Sequence, residues 1–162
     1  MCIDSHVHLS LDGVDFRRCR QWYKEGNFRQ IAENFNEYKK RDIYIIRDGG
    51  DNLNLAPIAR DIAEQVGIIY KTPIHSFYKK GHYGGFTGKP VESIGDFNEE
   101  FDSLMMKKPD HLKIILTGIV DFDVFGKVGD VAFSFEELYY MIQCAKDRGL
   151  PTMVHANSPL GV

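Results

Sequence analysis

The feature that most restricts the fold of this chain is the alternation of short apolar runs with longer amphipathic segments. Runs rich in β-branched and aromatic residues predict five strands, at 3–7, 43–46, 68–70, 112–115 and 152–155. Between them, apolar residues recur at three- and four-residue spacing, which predicts four helices. Strands that alternate with helices are typical of parallel sheets joined by right-handed crossovers. We therefore expect an α/β fold in one domain, residues 1–162, because a chain of this length can bury one core.

The clearest helix start lies before the last predicted strand. Ser134 and Glu137 have the S-x-x-E spacing of a capping box, and Phe133 and Leu138 have the positions of a hydrophobic staple. Gly149 is placed to end this helix. Helix and strand are therefore separated sharply in this part of the chain.

Composition and charge exclude several classes of function. The formal net charge is −3, with lysines and arginines scattered along the chain, which gives no support to nucleic-acid binding. No apolar run approaches the roughly 18–20 residues of a membrane span. The three cysteines show no paired spacing and no signal peptide is recognisable, so we expect free thiols and a cytoplasmic location.

Two histidines on the first predicted strand are the first candidates for a site. His6 and His8 are two residues apart, so on a strand both side chains point to the same face and can bind one metal ion. His155 ends the fifth predicted strand, and sites in parallel α/β sheets lie at the carboxyl ends of strands. These three residues predict a metal site, the alternative being polar residues that merely end their strands.

Two further residues are candidates with open alternatives. Lys113 interrupts an otherwise apolar strand, and a buried ammonium is costly, so this lysine should be exposed, paired or chemically altered. It could instead extend to the opposite end of the sheet. His82 lies in the long segment 72–95 and is either a substrate contact or a solvated loop residue.

Taken in order, these segments resemble a known family. Residues 3–9, Ile-Asp-Ser-His-Val-His-Leu, are similar to the first-strand signature of the amidohydrolase superfamily. Residues 47–50 and 81–84 resemble turns after the second and third strands in the branch of imidazolonepropionase-like enzymes and metal-dependent prolidases and carboxypeptidases. Residues 111–114 and 154–157 resemble the segments that carry a carboxylated lysine and the next histidine ligand.

The resemblance implies a fold, a cofactor and a reaction. The fold would be an incomplete (β/α)8 TIM-type barrel, of which this chain holds strands one to five and four helices. His6 and His8 would bind one divalent ion, zinc or a similar metal, carboxylated Lys113 would bridge to a second, and His155 would bind that second ion. The reaction would be hydrolysis of an amide or peptide-like C–N bond by a metal-activated water, on a small amide or dipeptide-like substrate.

The chain also departs from the family pattern. Its 162 residues hold no counterpart of the family's sixth-strand histidine or eighth-strand aspartate, so no catalytic residue is assigned. Asp121 and Asp123 are the only acid–base candidates in the fourth loop. We expect a fragment that is weak or inactive alone, and that either self-associates as a homo-oligomer to cover an open sheet or forms part of a longer chain.

Two other functions remain open from the sequence. Asp4, His6 and His8 followed by Asp12-Gly13 resemble the opening motif of phosphoesterases of the polymerase-and-histidinol-phosphatase type, which would not use Lys113 as a ligand. The third possibility is a non-enzymatic, self-associating half-barrel.

Overall fold

The computed structural model describes residues 2–162 and shows strands and helices in alternation. Within these residues the strands are β1 (Cys2–Val7), β2 (Ile43–Asp48), β3 (Ile69–Lys71), β4 (Ser76–Lys79), β5 (Gly88–Val91), β6 (Leu112–Ile115) and β7 (Thr152–His155). The helices are α1 (Phe16–Lys24), α2 (Arg29–Lys39), α3 (Ala56–Val66), α4 (Ile94–Met106) and α5 (Phe135–Asp147). Every pairing between these strands is parallel, which confirms the predicted α/β class.

The strands form two sheets, not the single five-stranded sheet predicted. One sheet has the order β1-β2-β3 and the other the order β5-β4-β6-β7. The predicted third strand is present as β3, but the segment 72–95, for which no strand was predicted, also contains β4. The two strands are separated because Pro73 has no amide hydrogen to donate and Ile74 has a φ of 69°. As a result β3 pairs with β2 before the break, whereas β4 pairs with β6 after it.

The predicted numbers of strands and helices were both too low. β5 was missed because it begins at Gly88 and contains Pro90, two residue types that are depleted in strands. Gly88 is required there, since a Cβ would lie 2.5 Å from the backbone oxygen of Ser76 on β4. The helix α1 was missed because it buries only Cys19 and Tyr23, too few apolar positions to give a visible period.

The predicted capping signals are present. Ser134 accepts a hydrogen bond from the Glu137 amide, and the Glu137 side chain accepts one from the Ser134 amide, so the capping box of α5 is complete. Gly149 follows the last residues of α5 in the left-handed conformation, with a φ of 71°. Of the five helices in the described part of the chain, none is long and apolar enough to cross a membrane.

Each sheet packs its helices on one face and has its own hydrophobic cluster. The first cluster contains Ile46 and Tyr70 together with buried residues of α1, α2 and α3, and the second contains Ile114 and Phe77 together with buried residues of α4 and α5. Because side chains alternate along a strand, the residues between these positions face away from the helices. This second face carries the candidate site.

The face of the first sheet opposite the helices is partly apolar and exposed. Ile3, Ile45 and Ile69 lie side by side across the three strands, and Ile3 and Ile69 are 62% and 52% exposed. Exposed apolar surface of this kind often marks association. Self-association, or inclusion in a longer chain, stays a prediction.

Acid is expected to destabilise this fold through His75. Burial lowers the pKa of His75 to about 4, and its Nε2 lies 3.4 Å from Glu100 Oε1 without a hydrogen bond. The unfolded chain then binds a proton that the folded chain lacks between about pH 6.5 and pH 4, so stability is lost as the pH falls through that range. We expect His75→Phe to remove about 2 kcal/mol of this loss at about pH 4.5, because phenylalanine has no proton to bind in either state.

Denaturant unfolding of both chains at pH 7.0 and about pH 4.5 measures this difference. His82→Phe is the matched control, since His82 is exposed and its substitution should leave the pH dependence unchanged. Equal acid sensitivity of wild type and His75→Phe would contradict the prediction.

Candidate functional site

His6 and His8 lie at the carboxyl end of β1, on the face opposite the helices. Val7 between them is buried in the first hydrophobic cluster, so strand alternation directs both imidazoles to the other side. Their ring centroids are 5.5 Å apart, with an angle of 57° between the ring planes. An irregularity in the pairing of β1 with β2 falls between Asp4 and Val7, at this position.

Lys113 is completely buried and contacts the first of these histidines. Its neighbours Leu112 and Ile114 belong to the second cluster, so its side chain extends to the opposite face of β6. The Lys113 Nζ lies 3.3 Å from His6 Nε2. Burial and the nearby Arg47 guanidinium lower the pKa of Lys113 to about 8, although the Asp48 carboxylate opposes them. About a tenth of the amine is therefore neutral at pH 7, far more than for an ordinary lysine.

His155 reaches the same face from the end of β7. In the register of β6 and β7, Lys113 lies beside Met153 and Ile115 lies beside His155, so the side chains of Lys113 and His155 share a face. The Asn157 Nδ2 lies 3.0 Å from His155 Nε2. Burial lowers the pKa of His155, and the Lys113 charge lowers it further.

The three histidines are neutral at pH 7 for a common reason. Burial lowers the pKa of His6 to about 4, with further contributions from Lys113, His8 and His155. Burial also lowers the pKa of His8. Neutral imidazoles keep the lone pair that a metal ion requires.

These donors fit a metal ion such as zinc in kind, because zinc binds imidazole nitrogen. Their number is too small for a complete metal site. Across residues 2–162, no three histidine, cysteine, aspartate or glutamate side chains come close enough together to hold an ion. The additional nitrogen beside the histidine pair is the Lys113 amine.

Other candidate residues lie apart from this cluster. The side chain of His82 is exposed, and none of the described residues links it to the three histidines by a hydrogen bond or ring contact. Asp121 pairs with Lys127 at 2.7 Å and accepts a hydrogen bond from the Asp123 amide, so its carboxylate is engaged within its own loop.

The carboxylates of the phosphoesterase motif are also engaged elsewhere. Asp4 Oδ1 accepts a hydrogen bond from the His6 amide at 3.2 Å. Asp12 accepts from the amides of Val14 and Asp15, and pairs with Arg18 at 2.8 Å. No observation therefore favours the phosphoesterase reading.

The sequence analysis assigned no site role to Asp48, which is buried at the end of β2. Its carboxylate accepts hydrogen bonds from the amides of Leu9 and Gly50, at 2.9 and 3.0 Å. The only sequence signal was Arg-Asp-Gly-Gly at 47–50, which we interpreted as a turn. A polar side chain immediately before two glycines, at the carboxyl end of a strand, could have identified it.

Aromatic side chains form a wall beside the histidines. The Phe86 ring lies 6.2 Å from the His8 ring, and the Tyr83 ring lies 5.6 Å from Phe86 and 5.8 Å from His155. The loop that carries them is held by Arg20, which donates to the Phe86 carbonyl oxygen at 3.2 Å. A cavity of about 310 Å³ lies along this wall, lined by Leu11, Phe16 and Phe86.

Comparison with known proteins identifies the fold. No protein-family model matches the sequence, and no curated protein matches it. A solved amidohydrolase structure superposes with a TM-score of 0.72 at 16% identity, covering 98% of this chain and 43% of the other. A solved structure of an uncharacterised protein superposes with a TM-score of 0.67 at 15% identity, covering 95% of this chain and 41% of the other.

The chain thus spans less than half the length of the proteins it resembles. At this level of identity the likeness concerns the fold alone. The parallel strands and their helices match part of the fold of that solved amidohydrolase.

Proposed function

We propose that this chain is part of a metal-dependent hydrolase that cleaves amide or peptide-like C–N bonds. The observation that carries the proposal is the completely buried Lys113 beside His6, in a fold shared with a solved amidohydrolase. A buried lysine lowers stability unless its amine has a partner or a chemical use. A neutral histidine offers no compensating charge, which points to a use.

His6 and His8 would hold one divalent ion, zinc in the simplest case, and His155 would hold a second. Lys113 would bridge them as a carbamate: its neutral nitrogen forms a bond to carbon dioxide and releases one proton, so a buried cation becomes an anion. The lowered pKa of Lys113 favours this step, because only the neutral amine can react. When bound, the metal supplies a water of lowered pKa and polarises the scissile carbonyl.

The remaining residues would orient the substrate and exclude water. The rings of Phe86 and Tyr83 are placed to contact apolar parts of a small amide or dipeptide-like substrate beside His8 and His155. His82, on the same loop, would contact the substrate at the rim if the loop moves inward. Exclusion of water by the aromatic wall would strengthen polar interactions inside the site.

The two sheets would be one part of a (β/α)8 barrel. The acid–base group that moves a proton to the leaving nitrogen would come from the rest of a longer chain or from a second copy. Loss of that group typically costs about 10²–10⁴-fold in rate, so residues 1–162 alone should hydrolyse amides weakly.

Zinc titration of residues 1–162 tests the proposal. We expect one or two equivalents to bind, with bicarbonate strengthening the second, and we expect His6→Ala and Lys113→Ala each to weaken binding. His82→Ala is the control and should bind like wild type, because His82 lies outside the cluster. Binding that is unaffected by His6→Ala and Lys113→Ala, or metal-dependent cleavage of phosphoesters but not of amides, would contradict the proposal.

A further inference from the structure

We propose that Asp48 is a positioning residue whose carboxylate sets the orientation of His8 within the histidine cluster. The expected effect of Asp48 on metal binding rests on the function proposed above. Its expected effect on the orientation of His8 does not. Asp48 is 3% exposed, and its two oxygens divide their hydrogen bonds between two chain segments. Oδ1 accepts from the Leu9 amide and Oδ2 from the Gly50 amide.

These two amides belong to the two backbone segments nearest to the His8 ring contacts. Leu9 directly follows His8 in β1's continuation, and the Gly50 carbonyl oxygen lies 3.4 Å from His8 Nδ1. A single carboxylate therefore holds both the backbone that carries the ring and the backbone that accepts its hydrogen bond. With Nδ1 donating to Gly50, the His8 Nε2 keeps its lone pair for a ligand.

The residue between them forms the third side of this arrangement. A Cβ on Gly49 would lie 2.5 Å from His8 Cε1, so the ring packs directly on the Gly49 backbone. In the segment 48–50, Asp48 thus holds the backbone next to His8, Gly49 packs against the imidazole ring, and Gly50 accepts its hydrogen bond.

The same carboxylate joins further strands to this segment. Oδ2 also accepts from the Tyr70 hydroxyl at 2.9 Å and lies 3.4 Å from Thr72 Oγ1, while the Asp48 carbonyl oxygen lies 3.1 Å from His111 Nε2. A buried carboxylate is tolerated when such donors satisfy it. Asp48 thus contacts β3 and the residue that precedes β6, in addition to the segment that carries His8.

Asp51 is a nearby aspartate whose hydrogen bonds stabilise only its own turn. It is also buried, but its carboxylate accepts only from the amides of Leu53 and Leu55, within the turn before α3. Asp48 instead reaches an amide 39 residues away. Asp51→Asn is therefore the matched control for Asp48→Asn.

Asp48→Asn tests the inference because the amide nitrogen it introduces is a donor and is unable to accept from both Leu9 and Gly50. By NMR without metal, we expect the nuclear Overhauser contact between His8 Hε1 and the Gly49 Hα protons to be lost. By zinc titration, we expect affinity to fall about 10–100-fold. Asp51→Asn should change neither readout.

Tyr70→Phe separates positioning from general stabilisation. It removes one hydrogen bond to the same carboxylate but leaves the Leu9 and Gly50 contacts, so it should lower stability without changing zinc affinity. If Asp48→Asn does not fold, Asp48→Glu keeps the charge but displaces both amides, and should weaken zinc binding at least about fivefold.

Three results would overturn the inference: an unchanged His8–Gly49 contact in a folded Asp48→Asn, wild-type zinc affinity in a folded Asp48→Glu, or equal weakening by Tyr70→Phe. Failure of wild type to bind zinc would instead refute the proposed function, and the metal-free NMR contact would still decide the role of Asp48.

Discussion

Replacing Lys113 with methionine is expected to stabilise the apo chain and to weaken zinc binding at the same time. The Lys113 side chain has no accessible surface, and its pKa falls from 10.5 to about 8. Such a shift corresponds to a cost of about 3 kcal/mol in the free energy of unfolding at pH 7. Methionine fills a similar volume without a charge, so most of this amount should be recovered.

The pH dependence of this gain follows from the direction of the shift. Below about pH 8 the lysine is protonated in both states, and the folded chain carries the full cost. Between about pH 8 and 10.5 the unfolded chain binds a proton that the folded chain has lost, so wild-type stability rises with pH. Lys113→Met has no such rise, and the difference between the two chains should shrink across this range.

Denaturant unfolding at pH 7, 8 and 9 measures the gain in stability and its pH dependence, and zinc titration measures the weakened binding. Lys24→Met, at an exposed position in the last turn of α1, is the matched control and should leave stability within about 0.5 kcal/mol of wild type. A Lys113→Met chain that is less stable than wild type at pH 7 would show that the lysine stabilises the fold through His6.

Gly49→Ala is expected to weaken zinc binding at least about tenfold while leaving the fold intact. The added Cβ would lie 2.5 Å from Cε1, 2.8 Å from Nε2 and 3.0 Å from Nδ1 of His8, and all three atoms belong to one side chain. Because these atoms form the far end of one half-buried side chain, the ring can turn aside without displacing backbone. The expected loss of stability is therefore below about 1 kcal/mol.

Gly95→Ala provides the matched control for this substitution. Its Cβ would meet Ser93 Oγ at 3.5 Å, an ordinary van der Waals contact, at the start of α4. Zinc titration and denaturant unfolding of both variants decide the outcome. Equal zinc affinity of Gly49→Ala and Gly95→Ala, with wild type binding zinc, would show that the position of His8 does not govern the site.

Much of the fold could be predicted because strand and helix patterns are local. The predicted strands at 112–115 and 152–155 coincide with β6 and β7, and the capping box at Ser134 is present. The pattern failed where local preference and tertiary pairing disagree. At β5, Gly88 and Pro90 disfavour a strand, but close approach to Ser76 on β4 forms one.

The candidate site was likewise predicted only in part. Two-residue spacing on a strand determined that His6 and His8 share a face, because side chains alternate with a period of two. The spacing could not give the distance between the two rings, because the irregularity between Asp4 and Val7 depends on how β1 pairs with β2. For His155, the sequence predicted its position at the end of a strand but not its distance from the other two histidines.

By itself, then, the sequence determined five of the seven strands described and several of the polar residues at their carboxyl ends, since both follow from residues a few positions apart. Only the tertiary structure decided that Lys113 meets His6 across 107 residues and that Asp48 holds the amide of Leu9 across 39. Those contacts depend on strand order, register and the packing of each sheet against its helices, which are set by long-range pairing and by burial.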